Sequence, residues 1–413
     1  MFKAIALATV SVANAKKVHE YFAENNYMCE LCNKVVEYAR DGNDDGMEAI
    51  YKQFPGLLDR INMFYPERDE IVNYNDPQGT CVKMNLCEDL DIFELLMEEQ
   101  PLDLSEHINT PKANWVSGVN EKFANASLKE VKAILGAIVD PEWTITLPEK
   151  VNTVAVDVPD SFDAREQWPE CESVINHVRD QANCGSCWAH GTTEALNDRA
   201  CIKSGGSMTT LYSVADTTAC CGFISCQSMG CNGGQVGTPW TWFEHKGVVT
   251  GGDFGDGDLC YDYTMPKCAH HVDPTGGMKS CDDIDQVAPK CSSSCQTNTS
   301  IEYSGDKKHS SSSYNVRTVE NIKSDIFQYG TVTAAFTVYE DFLTYKSGVY
   351  THQSGKALGG HAIKLIGWGT EGGEDFWLAV NSWNNTWGDK GLFKIDMSKC
   401  GISNQVHAGQ AAI

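Results

Sequence analysis

The chain has 413 residues, 42% of them hydrophobic, enough to bury the cores of more than one domain. A formal charge of −24 and a pI near 4.8 exclude the basic face that nucleic acid requires, and suit an acidic compartment in which many carboxylates are neutral. Eighteen cysteines imply disulfides in an oxidising compartment, and their spacings represent the Cys-x-x-Cys pairs of a reduced zinc protein poorly.

Residues 1–15, MFKAIALATVSVANA, place one lysine before an apolar run from Ala4 to Ala13 and end in the small-x-small pattern Ala13-Asn14-Ala15. That layout predicts a signal peptide cleaved near Ala15. No later segment has the length and apolarity of a membrane span, so a soluble protein of the secretory pathway is expected, lysosomal or extracellular. Sequons at Asn125, Asn298 and Asn384 permit glycosylation there.

Residues 16–100 are acidic, with 19 Asp and Glu against 8 Lys and Arg, and helical in pattern. Apolar residues recur at helical spacing, as in Cys32, Val35, Val36 and Ala39, then Leu57, Leu58, Ile61 and Phe64. Cys29 and Cys32 share one helix face, where a second pair far along the chain, Cys81 and Cys87, could staple helix to helix. In residues 101–157 a helix is predicted over Ser127–Leu135, with Ser127 and Glu130 forming a capping box. Pro141, Pro148 and Pro159 then mark an extended linker. From Pro159 onward the composition turns to Gly, Cys and aromatics, as expected for one large α+β unit. A helix is predicted after Cys187, strands at Val332–Tyr339, His361–Gly367 and Phe376–Val380, and a surface loop over 304–313.

The chemistry-bearing stretch is Gln181-Ala-Asn-Cys-Gly-Ser-Cys187-Trp188. A thiol attacks a carbonyl only as thiolate, and a helix N-terminus or a nearby imidazolium lowers its pKa. Gly185-Ser186 permits a tight turn into such a helix. His361, in Leu-Gly-Gly-His-Ala-Ile, is a candidate base, and the Asn381 amide, in Ala-Val-Asn-Ser-Trp, can orient the imidazole. Together they have the logic of nucleophile, base and orienter.

With Ser161-Phe-Asp-Ala-Arg-Glu-Gln-Trp-Pro169, Arg179-Asp-Gln, Cys184-Gly-Ser-Cys-Trp-Ala, Cys231-Asn-Gly-Gly, Tyr345-Lys-Ser-Gly-Val-Tyr350 and Asn381-Ser-Trp-Asn, residues 101–413 strongly resemble the papain family of cysteine proteases, and within it cathepsin B. The resemblance implies a papain-like two-lobed peptidase domain over 158–413, with a helical left lobe and a β-barrel-like right lobe. It implies a propeptide and linker over 101–157, with residues 108–138 lying in the cleft as inhibitor until acid and proteolysis remove them. Cleavage is expected between about Asp140 and Pro159.

Further roles follow from the resemblance. Gln181 and the Cys187 backbone N–H would form an oxyanion hole. Trp383 would shield the His361–Asn381 contact, and Gly233 and Gly234 would admit substrate backbone. The implied disulfides are Cys171–Cys201, Cys184–Cys231, Cys220–Cys291, Cys221–Cys226, Cys260–Cys295 and Cys268–Cys281, with Cys400 left as a free thiol. Cys268-Ala-His270-His271 matches an occluding loop whose histidines accept a substrate's C-terminal carboxylate, favouring release of dipeptides. Asp180 would latch His270. A second latch is lacking: Lys279 is the nearest loop cation and Thr386 stands where the family has Asp, so a looser loop and more endopeptidase activity are expected. Gln405 replaces the acid at the base of the P2 pocket, so apolar or aromatic P2 residues are expected over Arg. His190 replaces the usual Phe, without an evident role.

Cys29-Glu-Leu-Cys32 and Gly79-Thr-Cys81-Val-Lys-Met-Asn-Leu-Cys87 resemble a saposin-B-type domain, taken as 16–100. The likeness implies a helical fold with pairs Cys29–Cys87 and Cys32–Cys81, although the family's middle disulfide is absent, and lipid contact through residues 27–90. An acidic pro-extension aiding folding or sorting is the other reading of this region. Altogether the sequence predicts a monomeric cysteine-type endopeptidase and dipeptidyl carboxypeptidase, made as a zymogen, acting on peptides and proteins with neither metal nor cofactor. A saposin-like lipid-interacting protein with a weak protease domain, and a catalytically silent relative, are the alternatives.

Overall fold

The computed structural model describes residues 101–112, 114–141, 143–150, 156–267 and 287–413. The expected signal peptide, the saposin-like region and its disulfides, and the Cys268–Cys281 loop with His270, His271 and Lys279 lie outside the described residues. Apart from 356–358, the described residues belong to one compact unit, Glu98–Gly355 with Gly359–Ile413.

Helix α1 is Ser105–Asn109 and α2 is Leu128–Ala133. The predicted capping box is present at α2: Ser127 Oγ accepts from the Glu130 N–H, and the Ser127 N–H donates to the Glu130 carboxylate at 2.8 Å. The long helix α3, Cys187–Lys203, follows the predicted turn. It is followed by α4 (Val214–Cys220), α5 (Thr238–His245) and α6 (Val319–Tyr329). The strands are β1 (Trp115–Ser117), β2 (Phe162–Asp163), β3 (Tyr314–Asn315), β4 (Val332–Tyr339), β5 (Tyr345–Tyr350), β6 (Ala357–Glu371), β7 (Glu374–Val380), β8 (Leu392–Asp396) and β9 (Gln405–Ala408). All three predicted strand runs fall within β4, β6 and β7.

The strands form a mixed sheet in the order β1-β5-β8-β7-β6-β4-β9-β3, with β2 on β6 and a parallel β5–β8 pair. β1, from the 101–157 segment, adds itself antiparallel to β5 and so covers an edge of the enzyme sheet. It carries Trp115 against Tyr345 and Tyr350, and Phe123 lies edge-on to Trp383. Both are nearly fully buried, so each contributes about 1.5–3 kcal/mol to holding the segment down.

Helix α3 is buried around almost its whole circumference, although half its residues are polar. Its apolar side chains, among them Trp188 and Leu196, pack with Trp240 and Phe243 of α5 in one core. Its polar ones find partners on other elements, as burial demands. Thr193 meets Thr217, Asn197 donates to the Thr210 carbonyl, and Arg199 pairs with Asp325 of α6. Five disulfides stand among the described residues: Cys171–Cys201, Cys184–Cys231, Cys220–Cys291, Cys221–Cys226 and Cys260–Cys295.

Candidate active site

Cys187 is the first residue of α3, where the helix dipole favours a thiolate. The turn ahead of it is held hard. Cys184 is bonded to Cys231, Ala182 adopts φ of +54°, and the Asp180 carboxylate accepts the Ala182 N–H at 2.9 Å. Gln181 is anchored through its backbone N–H to the Ser382 carbonyl and through its side-chain oxygen to the Ser382 hydroxyl. Its Nε2 is thereby fixed as a donor aimed toward the cleft.

His361 and Asn381 come from neighbouring strand ends, His361 within β6 and Asn381 just past β7. His361 Nε2 lies 2.7 Å from Asn381 Oδ1. An amide oxygen only accepts, so Nε2 carries the proton and the Nδ1 lone pair remains available as base; Nδ1 has no hydrogen-bond partner. The Trp383 ring covers this pair at 4.4 Å from the imidazole. Beneath the site, Lys364 of β6 bonds Asp198 of α3 at 2.9 Å and approaches Glu194 at 3.8 Å. Buried charges therefore tie the helix that Cys187 begins to the strand that carries His361. Burial pushes the Glu194 carboxyl up to about 7, against the pull of Lys364.

The cleft is filled by residues 134–144 of the chain itself. Gln181 Nε2 donates to the Ile134 carbonyl at 2.8 Å. Gly234 N–H donates to Gly136 O at 2.8 Å, Ile138 N–H to Gly234 O at 3.2 Å, and Ala137 N–H to Gly360 O at 3.0 Å. Gly233 also faces the Gly136 carbonyl, and Gly234 has room only for hydrogen, since a Cβ would sit 2.4 Å from Ser228 Oγ. Gly136 lies so close to Gly185 that a Cβ on it would fall 1.8 Å from the Gly185 carbonyl oxygen. Ala137 and Val139 pack over Cys187, and the backbone N–H groups of Ala362, Gly136 and Trp188 surround its sulfur.

Burial under this segment pushes the Cys187 thiol up to about 11, with the Ala362, Gly136 and Trp188 N–H groups opposing, and pulls His361 down to about 3. The pair is neutral while covered.

The remaining sequence candidates are spread around this centre. Asp180 meets Lys122 of the same covering segment at 3.5 Å and accepts from Asn384 at 3.0 Å. Asn384 is buried, so that sequon is no acceptor in the fold, whereas Asn125 is exposed. Gln405 Nε2 donates to the Val139 carbonyl and to Thr144 Oγ1. Thr386 is exposed, and Cys400 is a free thiol, as is Cys187. His190 has its Nδ1 on the Ser186 carbonyl at 3.0 Å and its ring edge-on to Tyr263, whose hydroxyl bonds the Gln181 carbonyl. It therefore braces the turn that carries the nucleophile, neutral because burial pulls it down to about 4. Sequence reasoning missed Lys122, Gly136, Asn384 and Lys364. Each meets a partner tens to hundreds of residues away, and no local pattern marks such a pairing.

The papain family cysteine protease model matches residues 158–410. A cathepsin B-like cysteine proteinase of Schistosoma japonicum is 41% identical over 77% of this chain and 91% of its own length. Cathepsin B-like cysteine proteinase 5 of Caenorhabditis elegans is 39% identical over 74% and 89%. Among solved structures, proCathepsin B S9 from Trypanosoma congolense matches with a TM-score of 0.60 and 31% identity, covering 72% of this chain and 93% of that one. The chain belongs to the papain family of cysteine proteases, among its cathepsin B-like members.

Proposed function

We propose that this chain is the zymogen of a cysteine-type peptidase that hydrolyses peptide bonds through Cys187, His361 and Asn381, with residues 101–157 as its own inhibitor. The observation that carries this reading is residues 134–138 lying in the cleft: Ile134 O takes the Gln181 donor, Gly136 O takes the Gly234 N–H, and Gly136 packs flush on Gly185 beside Cys187. A peptide segment of the chain itself thus takes the place of substrate at Gln181 and Gly234.

Once the segment leaves, solvent reaches Cys187 and His361, and proton transfer from Sγ to Nδ1 gives a thiolate–imidazolium pair stabilised by the helix N-terminus. The thiolate adds to the scissile carbonyl, whose oxyanion accepts from Gln181 Nε2 and the Cys187 N–H. Nδ1–H then protonates the leaving amine, the acyl thioester forms, and water activated by His361 hydrolyses it. Throughout, the Asn381 oxygen keeps the imidazole in one orientation.

His270 and His271 would clamp a C-terminal carboxylate and add dipeptidyl carboxypeptidase activity, loosened by the missing second latch. Gln405 would disfavour Arg at P2. Five disulfides support an oxidising compartment, lysosomal or extracellular. The test activates the proenzyme at about pH 5, where His is largely protonated, and follows one peptide, free or amidated at its C-terminus, by mass spectrometry, with Cys187→Ala as control. Dipeptide loss from the free form alone supports nucleophile and clamp. Internal cleavage of both forms sinks the clamp. No Cys187-dependent cleavage of either sinks the peptidase reading.

A further inference from the structure

Beside the cleft, the covering segment and the sheet enclose a cavity of about 400 Å³. Val139 and Ala335 belong both to its wall and to the packing around Cys187, so it opens directly off the reaction centre. Gln405, at the position that the family resemblance assigns to the P2 pocket, forms part of the wall. His407 lies two residues further along β9, on the same face. Arg317, just before α6, completes the rim, and no Asp or Glu lines the cavity.

His407 is 2% exposed, and neither of its ring nitrogens has a hydrogen-bond partner. A buried imidazole left without a partner is costly and calls for an explanation. Gly237 lies between its ring and Leu147, a Cβ there lying 3.0 Å from Nδ1 and 3.3 Å from Leu147 Cγ, and the linker residues Pro141, Thr144 and Thr146 share the cavity wall with it. The linker also supplies Arg317 with an acid, Glu149 Oε2 at 3.9 Å from Arg317 Nε. It supplies Gln405 with two acceptors, Val139 O and Thr144 Oγ1. Cleavage after Glu149, within the window expected above, therefore takes the acceptors from Gln405 and the carboxylate from Arg317, and opens the cavity wall that His407 shares with the linker. Three donor side chains then border one pocket with no acid among them.

Resting on the peptidase reading above, we infer that the mature enzyme accepts an acidic side chain, Glu or Asp, at P2, with His407 and Arg317 as the residues that determine this specificity. The carboxylate takes the place of Glu149 on Arg317 and accepts an N–H from His407, a charge-assisted arrangement at the rim and a neutral or charged hydrogen bond at the base. An Arg side chain in the same pocket meets Arg317 and finds no acceptor carboxylate, so rejection of Arg and acceptance of Glu have one cause.

The test uses the activated full-length enzyme and four peptides alike except for Glu, Gln, Leu or Arg at P2, assayed for kcat/KM with the wild type, Arg317→Ser and His407→Val. The expected order places Glu above Gln and Arg last. Arg317→Ser should lower the ratio of the Glu to the Leu rate about fivefold and His407→Val about tenfold. Titration of the Cys187 thiol with an irreversible thiol reagent, together with an unchanged melting temperature, shows that the variants are folded and competent. Equal rates for Glu and Gln, or a Glu-to-Leu ratio that neither variant lowers, overturn the inference while leaving the peptidase reading intact. Absence of Cys187-dependent cleavage of all four peptides overturns both.

Discussion

On the zymogen reading proposed above, replacing Gly136 by alanine should open the closed form without touching the mature enzyme, because residue 136 would leave with the covering segment. The added Cβ would fall 1.8 Å from the Gly185 carbonyl oxygen and 2.8 Å from Gly185 Cα. These are backbone atoms of the turn that carries Cys187, pinned by the Cys184–Cys231 disulfide, so the covering segment is the side that must move. A shift of an ångström or more there breaks the geometry of three backbone hydrogen bonds: Gly234 N–H to Gly136 O, Ile138 N–H to Gly234 O, and Ala137 N–H to Gly360 O. At about 1 kcal/mol each, the closed state loses about 3 kcal/mol, about a hundredfold in the opening equilibrium. Opening is read by the rate at which a thiol reagent alkylates Cys187 in the uncleaved zymogen. Cys400 is the second free thiol among the described residues, so the modified peptide is identified by mass spectrometry. A rate for Gly136→Ala within about threefold of wild type would refute the close approach and the inhibitory role built on it.

Lys122→Met removes the cation from a pair whose side chains are 5% and 1% exposed. Asp180 keeps its bonds from Ala182 and Asn384, so the loss is about 2 kcal/mol and Cys187 alkylation rises about thirtyfold; an unchanged rate removes Lys122 from the inhibitory contacts. Gln181→Ala deletes the oxyanion donor, and kcat of the mature enzyme should fall about 10²–10³-fold with little change in KM; a rise in KM alone would assign Gln181 to binding. His407 is held neutral, with burial pulling it from 6.5 down to about 4, so it opposes folding progressively as pH falls from about 6.5 toward 4. Between pH 7 and 5 that costs the zymogen about 2 kcal/mol, and His407→Val in a Cys187→Ala background should lose correspondingly less stability over this interval in denaturant titrations. Equal losses in the two proteins would show that His407 is not buried in the neutral form.

Local chemistry determined much of this molecule. The turn Gly185-Ser186 before Cys187, the capping box at Ser127 and the apolar β-branched run at Val332–Tyr339 are each read from adjacent residues, and each stands in the structure where such residues would put it. Cys187, His361 and Asn381 could be singled out for the same reason, since each sits in a motif of its own. What the sequence could not hold is the distance between motifs. Helix α3 has no amphipathic stripe to read, because Thr193, Asn197 and Arg199 are buried against partners on other elements, and the partner of Lys364 lies on a helix more than 160 residues away in the chain. The covered state of the cleft is likewise a tertiary fact. Gly136 is one glycine among 36 in the sequence. Only the folded backbone brings it against Gly185 and gives its carbonyl oxygen the Gly234 N–H, beside Cys187.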